Sequence, residues 1–96
     1  MTEVRRKPTL IFFTSATEGR SRRAEGHLAQ VLQRRRNHET FELIRIPVDR
    51  RPDLAERFRV DTVPAILVVD DRRVRARLAQ PRGCRDIQRL LQPWLN

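Results

Sequence analysis

Apolar residues fall into two kinds of segment along this chain. Thr9-Leu10-Ile11-Phe12-Phe13-Thr14 and Ala65-Ile66-Leu67-Val68-Val69 carry apolar side chains at consecutive positions, the pattern of strands covered on both faces. Between residues 18 and 36 the period changes. Ala24, Leu28, Val31 and Leu32 recur at the i, i+4, i+7, i+8 spacing of a helix laid on a sheet, and most other positions there are Arg, Gln or Glu. Thr17 is placed to cap that helix, with Glu18 facing the positive end of its dipole. Residues 41–48 read as a second strand, with Glu42 and Arg45 reaching an edge. Pro52, followed by Leu54, Ala55 and Phe58, marks a short second helix, because proline is tolerated in a helix's first turn. Asp70-Asp71-Arg72 is a tight turn joining the run at 65–69 to a strand over residues 74–78. After Pro81-Arg82-Gly83, a last helix carries Ile87, Leu90, Leu91 and Trp94 on one face. The order is β-α-β-α-β-β-α. Helices between the early strands predict crossover connections with parallel pairing, and the final hairpin is antiparallel.

Thr62-Val63-Pro64 stands at the mouth of the second apolar run. A central strand cannot spare a backbone donor, so proline there is confined to the strand's first residue, and an X-Pro bond held cis marks a turn or site element. Upstream, the first strand runs into the hydroxyl-rich loop Thr14-Ser15-Ala16-Thr17. That order of strand, loop, helix, strand, helix and Val-Pro strand resembles the thioredoxin superfamily from Thr9 to Asn96. Phe12-Phe13 resembles the end of the family's strand before its redox loop, Asp49 the aspartate after its second strand, and residues 53–60 its following helix. The resemblance implies a thioredoxin-like α/β fold with a mixed four-stranded sheet flanked by helices. It also implies a cis Val63-Pro64 bond, with Val63 offering backbone N–H and C=O groups to an extended peptide.

Where the family places Cys-x-x-Cys, this chain reads about Thr17-Glu18-Gly19-Arg20. Disulfide exchange needs an activated thiolate and a resolving thiol, and neither Thr17 nor Arg20 supplies one; a one-residue slip brings only Ser21. The family's buried acid falls at Ile11, and the glycine lining its substrate groove falls at about Gln80. Retained fold without the redox role is the expectation, and no disulfide reductase activity is expected.

Composition narrows the alternatives. The 96 residues make one domain, with residues 1–7 as a basic arm and 8–96 as the folded unit. A single cysteine, Cys84, excludes an intrachain disulfide and fits a reducing cytoplasm. The apolar stretch after Arg5-Arg6-Lys7 is too short for a signal peptide or a membrane span. Lys and Arg number 21 against 12 Asp and Glu, a formal +9, and every basic residue but Lys7 is arginine. Such an excess draws polyanions and acidic surfaces. The arginine bias also reads as the codon composition of a GC-rich bacterial source on solvated faces. Stacking on nucleic acid needs exposed aromatics beside the arginines, and the phenylalanines and Trp94 are committed to the core. His27 and His38 have no clustered partners for a metal, and the three glycines form no phosphate loop.

The leading expectation is a non-redox module that grips an extended protein or peptide segment, acidic ones included, with no cofactor, metal or membrane. Its groove comprises Thr17, Glu18, Val63, Pro64 and Gln80. Two alternatives stay open: a single-thiol, glutathione-linked redox protein using Cys84 between Arg82 and Arg85, and an arginine-driven, non-specific nucleic-acid binder.

Overall fold

A computed structural model describes residues 7–15 and 19–95. Four strands, β1 (Thr9–Thr14), β2 (Glu42–Pro47), β3 (Ala65–Asp70) and β4 (Arg73–Ala79), form one sheet in the order β2-β1-β3-β4. Helix α1 (Gly19–Gln33) joins β1 to β2, α2 (Pro52–Arg57) joins β2 to β3, and α3 (Cys84–Leu91) follows the hairpin.

The consecutive apolar side chains of β1 put it inside the sheet, where Leu10 lies between Leu43 and Val68 and Phe13 between Ile46 and Ala65. Alternate residues feed opposite faces. Leu10, Phe12, Ile66 and Val68 meet Ala24, Leu28, Val31 and Leu32 of α1 and Ile87 and Leu91 of α3. Ile11, Phe13, Ala65 and Leu67 meet Leu54, Ala55, Phe58 and Val60 around α2. Burying each of the larger side chains stabilises the fold by roughly 1.5–3 kcal/mol relative to leaving it in water. Phe13 and Phe58 close the second layer with tilted rings whose centroids are 6.0 Å apart.

Strand direction departs from the sequence expectation in one place. β1 and β2 are parallel, but β3 is antiparallel to β1, so the β2-α2-β3 connection is not a parallel crossover. The connection that carries α2 packs on Ile11, Phe13 and Leu67 and delivers the chain to the end of the sheet where β2 finishes, with Pro47 opposite Thr14 and Ala65 opposite Phe13.

Helix α1 also stops short of residue 36. Arg35 and Arg36 take left-handed dihedrals (φ 50° and 56°), and Asn37 Nδ2 donates to the Arg34 carbonyl at 2.7 Å, satisfying one of the groups left open by the helix end. Past Leu32 no apolar side chain continues the stripe, so nothing holds a further turn to the sheet.

Both sheet edges are charged. Glu42 and Arg45 are exposed on β2, which ends in Pro47, and Arg45 pairs with Glu25 of α1. On β4 the register shifts where Val68 faces Ala76 and Val69 faces Val74, leaving Arg75 as the extra residue. Bulges and arginines on an edge discourage further strand pairing there. Trp94, in a 3₁₀ turn after α3, donates from Nε1 to Asp70 Oδ2 at 3.3 Å and ties the C-terminal segment to the hairpin.

Candidate binding groove

Three chain segments converge at the end of the sheet where β1 finishes. Ser15 follows β1, and its backbone N–H donates to Ser21 Oγ at 3.0 Å. Ser21 is buried, so this hydroxyl fixes the loop onto α1. The position that a register slip offers for chemistry is thus occupied in holding the backbone. Val63 and Pro64 enter β3 beside it through a cis peptide. Gln80 leaves β4 with φ 49°, and its N–H donates to the Pro64 carbonyl at 2.7 Å.

Of the residues expected to line the groove, Val63, Pro64 and Gln80 come together at this end; Thr17 and Glu18 lie outside the described residues. Pro64 is buried, Val63 is half-buried against the α2 layer, and Gln80 is exposed. Neither the Val63 amide nor its carbonyl enters the backbone hydrogen bonding of the described residues. A half-buried peptide group with both valences open, next to the end of a strand, is an acceptor and donor pair for an added extended segment.

Beside it lies a cleft of about 400 Å³ lined by Arg20, Arg23, His27, Pro64, Gln80, Pro81 and Arg82. Sequence patterning does not assign these basic residues to the groove. Their partial signal is the i, i+3, i+7 spacing of Arg20, Arg23 and His27, which places them along one side of α1 next to its apolar stripe. Arg82 reaches the same cleft from the loop before α3. Its backbone N–H donates to Asp86 Oδ2 at 2.9 Å, which engages the one carboxylate in the first turn of that helix.

Cys84 sits apart from the lining, half-buried between α1 and α3. Its thiol donates to Gln30 Oε1 at 3.0 Å and approaches the His27 carbonyl at 3.7 Å, and the side chain packs on the first apolar layer. It is the chain's one cysteine, so no second thiol of this chain can resolve a mixed disulfide. Ile11 is 7% exposed within the α2 layer, where an ionised carboxylate would lack compensation. Among the described residues no cluster of His, Cys, Asp and Glu can hold a metal ion, and no helix is long and apolar enough to cross a membrane.

Solved structures share this architecture. Thioredoxin-2 of the malaria parasite, described as a component of its protein secretion machinery, aligns with a TM-score of 0.81 at 14% identity, over 97% of this chain and 88% of its own. The fold is thioredoxin-like. Deadhead, the germline-specific thioredoxin of Drosophila melanogaster, gives a TM-score of 0.80 at 17% identity, over 93% of this chain and 82% of its own. Mitochondrial thioredoxin 3 of Saccharomyces cerevisiae gives 0.76 at 16%, over 90% and 78%. No protein-family model and no curated protein matches the sequence. At these identities the likeness is one of fold, and the chain keeps that thioredoxin-like frame without a Cys-x-x-Cys pair.

Proposed function

We propose that this thioredoxin-like domain is a non-redox binding module that holds an extended segment of a partner protein against the Val63-Pro64 loop. The carrying observation is the open backbone valence of Val63, presented beside a strand end and flanked by the cleft at Gln80. Main-chain pairing supplies affinity without regard to sequence, and the neighbouring cleft supplies choice. The missing second thiol favours this reading over disulfide chemistry. Cys84, whose thiol donates to Gln30, is not among the residues that line the cleft, which supports the binding reading over the single-thiol one.

The test is recovery of partners on immobilised protein, comparing wild type with Gln80→Trp, which fills the cleft from an exposed position, and with Arg35→Glu, an exposed arginine outside the cleft. Loss with Gln80→Trp and retention with Arg35→Glu is the expected result. The reverse pattern would replace the groove by general electrostatic attraction.

A further inference from the structure

Among the described residues, the charged side chains that line the cleft beside Pro64 are all basic. Arg20 and Arg23 project from α1 and Arg82 from the loop before α3, and among the described residues none of the three makes an ion pair. Arg45 with Glu25 and Arg51 with Asp53 are the arginine ion pairs among the described residues, so what sets these three apart is that they line one cleft. His27 lines the same cleft, and its Nδ1 is buried with no hydrogen-bond partner. A buried ring nitrogen without a partner is uncommon and leaves a hydrogen bond to be made. The guanidinium groups reach the cleft from α1 on one side and from the loop before α3 on the other, so it has donors on two walls. The Gln80 amide adds both a donor and an acceptor at the rim.

Resting on the peptide-binding reading above, we infer that this cleft selects an anionic side chain, a carboxylate or a phosphorylated hydroxyl, on the segment that pairs with Val63. Guanidinium groups hold such oxygens through paired, charge-assisted hydrogen bonds. A volume of about 400 Å³ suits one or two side chains. Among the described residues two prolines and no Phe, Tyr or Trp line it, so the broad stacking platform that single-stranded nucleic acid uses is missing there. The charge excess of the whole chain draws any polyanion nearby, but this cleft sets cations next to the residue, Pro64, that follows the open backbone pair of Val63.

The second depression at this end of the sheet is different. About 190 Å³ in volume and lined by Val60, Ala65, Leu67 and Leu78 among others, it lies on the α2 face. Its lining mixes the Asp61 carboxylate with Arg59 and Arg77, and Arg77 is already engaged, donating to the carbonyls of Phe58 at 2.6 Å and Arg59 at 3.4 Å. Anion selection therefore belongs to the α1 side.

Amide chemical shifts of labelled protein titrated with short alternating peptides decide the matter: Glu-Val, phosphoserine-Val and Gln-Val, at physiological ionic strength. Either anionic peptide should bind about tenfold more tightly than Gln-Val and perturb Arg20, Arg23, His27 and Arg82 together with Val63. Arg23→Glu and, separately, Arg82→Gln should bring the anionic peptides down to the affinity of Gln-Val for the same variant, with the melting temperature unchanged. Arg35→Glu should leave all of it intact. Equal binding of all three peptides at Val63 would overturn anion selection while the groove reading stands. Absence of any perturbation at Val63 would overturn both. Perturbation centred on Arg34, Arg35 and Arg36, matched by a homopolymeric single-stranded DNA, would assign the anion affinity to diffuse charge and overturn the inference.

Discussion

The Gln80 N–H donates to the Pro64 carbonyl at 2.7 Å, and Gln80 makes that bond from the left-handed region of backbone space. The bond ties the start of β3 to the loop that carries Arg82, so the two walls of the cleft are joined through the backbone. Left-handed dihedrals cost a residue with a Cβ about 1–2 kcal/mol, part of which glycine returns as greater freedom in the unfolded chain. We expect Gln80→Gly to be as stable as wild type or up to about 1 kcal/mol more so, and Gln80→Val to be less stable by about 1 kcal/mol. Urea unfolding at constant m-value checks the order; a valine variant as stable as wild type would contradict the backbone assignment.

Ile11 offers a stability test of the second core layer. Placing an acid there, in Ile11→Asp, buries a carboxyl among Phe13, Ile46, Ala65 and Leu67. The expected cost is about 3 kcal/mol or more, because a buried charge without a partner is heavily penalised. Thermal or urea unfolding reads it directly. A neutral effect would mean that this layer has room and polarity for the acid that thioredoxins use.

How much of this was legible in the sequence follows from what each pattern encodes. Continuous apolar runs define β1 and β3 because strands covered on both faces need apolar residues at every position, and the α1 stripe follows from one-sided burial. The direction of β3 is not encoded in those patterns; it depends on which end of the sheet the segment between Pro47 and Ala65 returns to. The cleft was half visible. Arg20, Arg23 and His27 share a helical spacing, but Arg82 and Pro81 join them only through folding. Among a surplus of arginines, sequence spacing cannot separate a wall of the cleft from a solvated face.

Insulin disulfides should not be reduced faster with this protein than with dithiothreitol alone. One thiol, held against Gln30, has no second thiol of this chain to resolve a mixed disulfide. Turbidity of precipitating insulin chains follows the reaction. Acceleration abolished by Cys84→Ser would establish a single-thiol mechanism. Alkylation of Cys84 by iodoacetamide should in turn be faster in Gln30→Ala, which removes an acceptor and opens the approach to the sulfur.

Arg51 and Asp53 give a pH dependence with a definite sign. The side-chain hydrogen bond from Arg51 holds the Asp53 carboxyl below its ordinary range. A carboxyl depressed by folding contributes stability above its unfolded value, and that contribution disappears as pH falls through the folded value. Both groups are exposed, so the effect on stability is small. Carboxyl carbon shifts should place the Asp53 midpoint below that of an unfolded aspartate, and Arg51→Gln should move it upward. An unchanged midpoint in the variant would remove the pair as the cause.

Hydrogen exchange at the Val63 amide tests the central claim most directly, measured with and without a saturating peptide taken from a recovered partner. Pairing of an extended segment at this position must slow exchange of that amide, with the nearby cleft residues shifting and Arg35 unaffected. The account expects strong protection of Val63 that is absent in Gln80→Trp. Tight binding with unchanged Val63 exchange would contradict it.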